Sequence, residues 1–154
     1  VLSEDNTIVI QGLLACSGLG IISGSLLAGK LCRQQIHFPV ILVGAIGLIT
    51  MLFVIPYLNT VIPFALAIIG FGFFGGLFII PLNALIQMHA DIMQLGSVLA
   101  ANNWVQNLAM ISFLMLTYLV AKADTPSALF LQYLPYLAVL LIIPILIKLK
   151  RKFV

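Results

Sequence analysis

Five long apolar stretches, separated by short polar breaks, constrain the fold of this chain more than any other feature. They cover residues 7–29, 38–58, 61–87, 97–121 and 128–147. A bilayer has a hydrocarbon core about 30 Å thick, and a helix needs about 20 apolar residues to cross it. Because every backbone polar group must be satisfied inside lipid, we expect these stretches to be helices. The sequence therefore predicts an all-α membrane protein with five transmembrane helices.

The composition excludes a domain that is surrounded by water. Of the 154 residues, 63% are hydrophobic and 7% are charged, whereas soluble domains carry about 25% charged residues. The net charge of +3 is small and scattered, so we expect membrane lipid and no nucleic acid as a partner. Cys16 and Cys32 match no metal or redox spacing, and we expect two reduced, unpaired thiols.

Basic residues at the ends of the predicted spans indicate an orientation, because cytoplasmic loops carry an excess of Lys and Arg. We number the four breaks between the spans as loops one to four in chain order. Only Lys122 lies on the side of the N-terminus and of loops two and four. Six lie on the side of loops one and three and the C-terminus: Lys30, Arg33, Lys148, Lys150, Arg151 and Lys152. We therefore expect a cytoplasmic C-terminus and an N-terminus outside. A start at Val1, with no signal peptide and an odd number of spans, favours a fragment.

Small residues recur every four positions in two of the predicted helices. Gly20, Gly24 and Ala28 do so in the first helix, and Gly72 and Gly76 do so in the third. This spacing lets helix backbones approach closely in membranes. We expect close helix packing at these positions. A further interpretation is that such faces allow helices to rock or slide, as a carrier requires.

Residues typical of enzymes and metal sites are absent from the predicted spans. His37 and His89 have no HExxH context, and Gly70–Gly75 matches GxGxxG in the middle of a span, where that motif has no dinucleotide-binding meaning. The four carboxylates lie in predicted loops or near the N-terminus: Glu4, Asp5, Asp91 and Asp124. We therefore expect no enzymatic activity, no cofactor and no metal.

Side-chain amides are the polar groups that two of the predicted spans carry. They are Asn83, Gln87, Asn102, Asn103, Gln106 and Asn107. Residues three and four apart share a helix face, so each span has its own polar stripe. A buried amide without a partner costs about 2–7 kcal/mol, so the amides either bond between helices or line a polar path. Interhelical hydrogen bonds in membranes average only about 0.6 kcal/mol, so this number of amides favours the path.

The residues predicted to form this substrate path come from both stripes. They are Asn83, Gln87, Asn103, Gln106 and Asn107. Bonding between helices stays the alternative interpretation for each of them taken alone. No ionisable group lies in the middle of a span, so these residues predict a path that no carboxylate lines.

The sequence around these amides resembles a known family. The run Gly75 to Gln87 (GGLFIIPLNALIQ) resembles the tenth helix of the bacterial lysophospholipid transporter family, in the major facilitator superfamily. The run Asn103 to Met110 (NWVQNLAM) resembles the eleventh helix, although the family has an acidic residue where this chain has Gln106. A related membrane domain opens the bifunctional acylglycerophosphoethanolamine acyltransferase/acyl-carrier-protein synthetase.

The resemblance implies helices eight to twelve of a twelve-helix carrier. The chain would form most of the C-terminal lobe, without its first helix and without the N-terminal lobe. Such a carrier moves lysophospholipid across the bacterial cytoplasmic (inner) membrane, where an acyltransferase partner restores the second chain. Its site lies between the two lobes. Two alternatives stay open: a non-transporting helical scaffold or subunit whose amides pair with one another, and another major facilitator carrier for drugs or sugars.

Overall fold

The structure is a computed structural model that describes residues 7–32, 37–122 and 127–153. Over these residues it is helical and contains five helices long and apolar enough to cross a membrane. The helices are α1 Thr7–Leu31, α2 Phe38–Val54, α3 Val61–His89, α4 Leu95–Lys122 and α5 Ser127–Phe153. Single 3₁₀ turns, at Ile55–Tyr57 and Ile92–Gln94, precede α3 and α4. The prediction of an all-α chain with five such helices is confirmed.

Four of the helices extend beyond the predicted spans, α5 furthest, whereas α2 ends at Val54, four residues before the end of its predicted span. The helix α5 continues to Phe153, six residues past its predicted end, because the basic tail consists largely of good helix formers. Basic side chains also suit the negative end of a helix dipole. Arg33, Glu4, Asp5 and Asp124 lie outside the described residues, and the orientation across the membrane stays a prediction.

Close backbone contact between α1 and α3 forms the centre of the fold. A Cβ built on Gly20 or Gly24 would overlap backbone carbonyl groups of α3, in the case of Gly24 that of Phe73. From the other side, a Cβ on Gly76 would lie 2.7 Å from the backbone nitrogen of Ser25. The predicted close packing at the repeated small residues is therefore confirmed, and it joins two helices that are not neighbours in sequence.

The helix α2 packs on α3 in a similar way. A Cβ on Gly44 would lie 2.8 Å from the backbone nitrogen of Phe78. The side chains of Ile41 and Ala45 are fully buried, and Leu77 of α3 is 3% exposed. Since α1 and α2 each make their most extensive contacts with α3, α3 is the central helix of a three-helix group.

The remaining two helices are attached more loosely. The ring of Tyr136 in α5 lies edge-on to the ring of Phe53 in α2, with centroids 5.3 Å apart. No residue of α4, all of which the structure describes, is buried. The described contacts of α4 with other long helices are few, and they include a tilted ring pair between Phe113 and Phe130 of α5, 6.3 Å apart. Most of the surface of α4 is therefore uncovered by the described chain.

Candidate functional site

One pair of amides meets across α3 and α4. The Asn102 side-chain nitrogen donates a hydrogen bond to the Asn83 side-chain oxygen over 3.5 Å, and both side chains are half-buried. Asn83 lies six residues before the end of α3, and Asn102 lies seven residues after the start of α4. The pair therefore joins two consecutive helices at nearly equal distances from their connection. Its length is at the long limit for a hydrogen bond, so the bond is weak.

The other amides of the predicted path have no partner within the described part of the chain. Gln87, Asn103, Gln106 and Asn107 are exposed, and none of their side chains makes a hydrogen bond there. The structure thus brings Asn83 to Asn102 but does not bring Gln87 against the amides of α4. Asn102 was not among the predicted path residues. Its place four positions before Gln106, on the same helix face, was the available signal.

The position of Asn102 shows which side of α4 lies against α3. A helix turns by about 100° per residue, so Gln106 lies about 40° around α4 from Asn102. Asn103 lies about 100° from Asn102 and Asn107 about 140°, on the same side. We call Asn103, Gln106 and Asn107 the amide face of α4. It begins beside the contact with α3 and continues onto surface that no described helix covers.

Small residues extend the amide face toward the start of α4. Gly96, Ala100, Asn103 and Asn107 follow the spacing i, i+4, i+7, i+11, which places them on one side of a helix. A Cβ built on Gly96 would meet nothing within 4 Å, and Ala100 is exposed. The same kind of spacing marks the contact between α1 and α3, so this side of α4 has the form of a helix-packing surface without a described partner.

The rest of the open surface of α4 is apolar. Trp104 and Leu108 lie beyond the amide face, past the point about 180° around the helix from Asn102. Their side chains are 67% and 50% exposed. Ser112 is also exposed, but its hydroxyl donates to the Leu108 carbonyl of its own helix over 2.8 Å. The uncovered surface of α4 is therefore two-sided, with unpartnered amides on one side and groups suited to lipid on the other.

The amide face lies at mid-helix and not at a helix end. The helix α4 has 28 residues, and with a rise of about 1.5 Å per residue it is about 42 Å long. Gln106 and Asn107 lie within about 4 Å of its middle by the same rise. In a helix that crosses the bilayer, that depth is hydrocarbon, where an unpartnered amide costs about 2–7 kcal/mol. The face needs polar cover that the described helices do not supply.

The groups at this site are neutral. The described charged side chains lie at or near helix ends, such as Lys30, Lys122 and Lys148. In the described part of the chain, no three His, Cys, Asp or Glu side chains come together as they would to hold a metal ion. The amide face can donate and accept hydrogen bonds, and it carries no fixed charge.

A concave feature lies at the other end of α3. It is a groove of about 240 Å³ between the end of α2 and the first turns of α5, lined by Phe53, Pro56, Tyr57, Gln132, Tyr133, Pro135 and Tyr136. The sequence-based predictions did not include it. The available signal was the position of all four tyrosines of the chain near the ends of spans on the same predicted side of the membrane.

Comparisons with protein-family models, curated proteins and solved structures found no match to this chain. The resemblance of α3 and α4 to two helices of a transporter family therefore stays a prediction from the quoted residues. What the structure adds is the distribution of amides, small residues and apolar groups around α4.

Proposed function

We propose that this chain is most of the C-terminal lobe, without the first helix of that lobe, of a major facilitator carrier that moves lysophospholipid across the bacterial cytoplasmic membrane. The observation that carries the proposal is the amide face of α4, unpartnered at mid-helix and beside the contact with α3. In a carrier of two lobes the substrate site lies between them. The face would then border that central cavity, opposite the N-terminal lobe, and water or the substrate headgroup would be its polar cover.

The chemistry of the amide face suits a zwitterionic headgroup. Asn and Gln each offer donors and an acceptor, so they can bond a phosphate oxygen and an ammonium group at once. Each such bond contributes about 0.5–1.5 kcal/mol, and three of them hold a headgroup without trapping it as a full charge would. The acyl chain would lie along the apolar side of the helices or in lipid.

The packing of α1, α2 and α3 supports a group of three helices that moves as a unit. The backbone contacts among α1, α2 and α3 leave no room for a Cβ at Gly24 or Gly44, and packed interiors of this kind have low compressibility. Alternating access would come from rocking of this lobe against the N-terminal lobe. An acyltransferase on the cytoplasmic side would then consume the delivered lysophospholipid.

A non-transporting membrane subunit is the second candidate function. The bond between Asn102 and Asn83 favours it, since paired amides between helices serve to hold them together. On this hypothesis another protein would cover the amide face, and no substrate would pass. A carrier for drugs or sugars would use the same face for a different polar substrate.

The test replaces two amides by an apolar residue of similar size. The full-length protein with Asn103→Leu and Asn107→Leu is reconstituted in proteoliposomes, and the transfer of labelled lysophosphatidylethanolamine between leaflets is measured. We expect insertion to be kept and transfer to fall at least about tenfold, the loss of about 1.4 kcal/mol or more of headgroup binding.

A matched control comes from the same helix. Ser112→Leu also removes a polar group from the exposed surface of α4, but Ser112 lies on the side opposite Asn103 and bonds only its own helix. We expect this variant to transport normally. Unchanged transfer by the double amide variant would overturn the proposal, and equal loss in both variants would show that apolar replacement on any side of α4 is harmful.

A further inference from the structure

We propose that the groove between α2 and α5 binds the ammonium group of a zwitterionic phospholipid. This site lies at the opposite end of α3 from the amide pair, and it requires binding only. It therefore goes beyond the proposed transport and can be tested apart from it.

Aromatic rings form the walls of the groove. The rings of Phe53 and Tyr136 are 5.3 Å apart and nearly perpendicular, at 84°, so they present two walls of a corner. Tyr57 and Tyr133 line the same groove and are 70% and 69% exposed. Neither makes a ring contact or a side-chain hydrogen bond within the described part of the chain. Their ring faces are therefore available to a ligand.

The lining selects for a cation. A positive group within about 6 Å of aromatic ring centroids is attracted by their quadrupoles, and cages of this type recognise substituted ammonium ions. The seven lining residues include neither a basic side chain, which could occupy the rings, nor a carboxylate. The hydroxyls of the three tyrosines and the amide of Gln132 can donate hydrogen bonds to an adjoining phosphate.

The size of the groove indicates a headgroup and not a whole lipid. Its volume is about 240 Å³, below the range of about 300–1,000 Å³ for pockets that enclose drug-sized ligands. The exposed side chains of Leu137, Leu140 and Leu141 follow Tyr136 along α5. An acyl chain could lie along them while the headgroup stays in the groove.

The place of the groove in the fold matches the depth of a headgroup. Tyr57 ends the 3₁₀ turn that follows α2, and Gln132 to Tyr136 lie in the second and third turns of α5. Both positions are near the ends of membrane-crossing helices, where lipid headgroups meet hydrocarbon. Tyrosines are also enriched at this level simply as anchors, so the experiment must separate anchoring from binding.

The experiment compares two lipids that differ only in charge. The full-length protein in detergent is titrated with lysophosphatidylcholine and with its isostere that carries 3,3-dimethylbutyl in place of choline, and each binding constant is measured by native mass spectrometry. We expect the choline lipid to bind about tenfold more tightly, the difference that a desolvated cation–π interaction supplies. Equal binding of the two lipids would overturn the proposal.

Three variants assign the difference to the groove. Tyr57→Leu with Tyr133→Leu should abolish the preference for the charged lipid, whereas Tyr57→Phe with Tyr133→Phe should keep it, because the rings remain. Tyr118→Leu removes an exposed tyrosine of α4 that does not line the groove, and the preference should persist. If the preference for the charged lipid is lost in all three variants, or if it persists in the leucine pair, the tyrosines act only as membrane anchors. Because transport is not measured, failure of this site leaves the proposed carrier function untouched.

Discussion

The central helix α3 and the helix that follows it, α4, are similar in length but differ in packing. They have 29 and 28 residues, and both are apolar enough to cross a membrane. Yet α3 buries residues that include Gly72, Gly76 and Leu77, whereas no residue of α4 is buried. Inside a bilayer, an apolar side chain gains little free energy by moving from lipid into a contact between helices. Close packing of small residues therefore decides which helices associate.

The comparison also explains where polar groups are placed. The contact surface of α3 with α1 and α2 is built of glycine, alanine and large apolar residues, and its amides lie toward its end. The amides of α4 lie near its middle, on a side that is extended by Gly96 and Ala100. A helix surface with that make-up is unsuited to lipid, and this contrast is the basis of the proposed function.

The largest expected effect is on the free energy of unfolding, and it comes from comparing a buried and an exposed isoleucine of α2. Ile41 is fully buried and Ile46 is 55% exposed. Ile41→Ala should lower the free energy of unfolding by about 2–5 kcal/mol, because it leaves a cavity, and Ile46→Ala should change it by less than about 0.5 kcal/mol. Reversible unfolding of the protein in mixed micelles measures both. Equal losses would mean that α2 does not pack on α3 as described.

A smaller effect is expected from single methyl groups added to α1. A Cβ on Gly24 would overlap the Phe73 carbonyl, whereas a Cβ on Gly29 would meet nothing within 4 Å. Gly24→Ala should destabilise by about 1–3 kcal/mol through overpacking. Gly29→Ala should be neutral or stabilise by up to about 1 kcal/mol, because alanine is the better helix former. The same unfolding assay applies, and a neutral Gly24→Ala would contradict the close contact of α1 with α3.

The smallest effect concerns the amide pair between α3 and α4. A double-mutant cycle of Asn83→Leu and Asn102→Leu should give a coupling energy near 0.6 kcal/mol, the average for interhelical hydrogen bonds in membranes. A coupling well above about 1.7 kcal/mol, the largest value found for such bonds, would favour the scaffold hypothesis. The amides would then serve mainly to hold the two helices together.

Much of the helical architecture could be predicted from the sequence. The lengths of the apolar runs determine five helices because lipid leaves the backbone no other partner. Gly20, Gly24, Gly72 and Gly76 could be assigned to close contacts, but spacing alone does not say which helix comes close. That α1 joins α3 depends on how loops and side chains fit together in three dimensions.

The candidate site could be predicted only in part. Helical spacing groups Asn103, Gln106 and Asn107 on one face, as the structure has them. It does not show that Asn102 meets Asn83, because that pairing depends on how α3 and α4 approach each other. The groove beside Phe53 and Tyr136 depends on a contact between α2 and α5, which are far apart in sequence.

The most direct test of the central claim measures what surrounds the amide face. In the full-length protein with Cys16 and Cys32 replaced, Asn103→Cys, Asn107→Cys and Leu108→Cys are made singly, and each thiol is treated in native membranes with a water-soluble, membrane-impermeant maleimide. We expect the cysteines at positions 103 and 107 to react and the one at 108, at the same depth on the apolar side, to stay unlabelled. Equal protection at all three positions would place the amide face against lipid or protein and contradict a polar path.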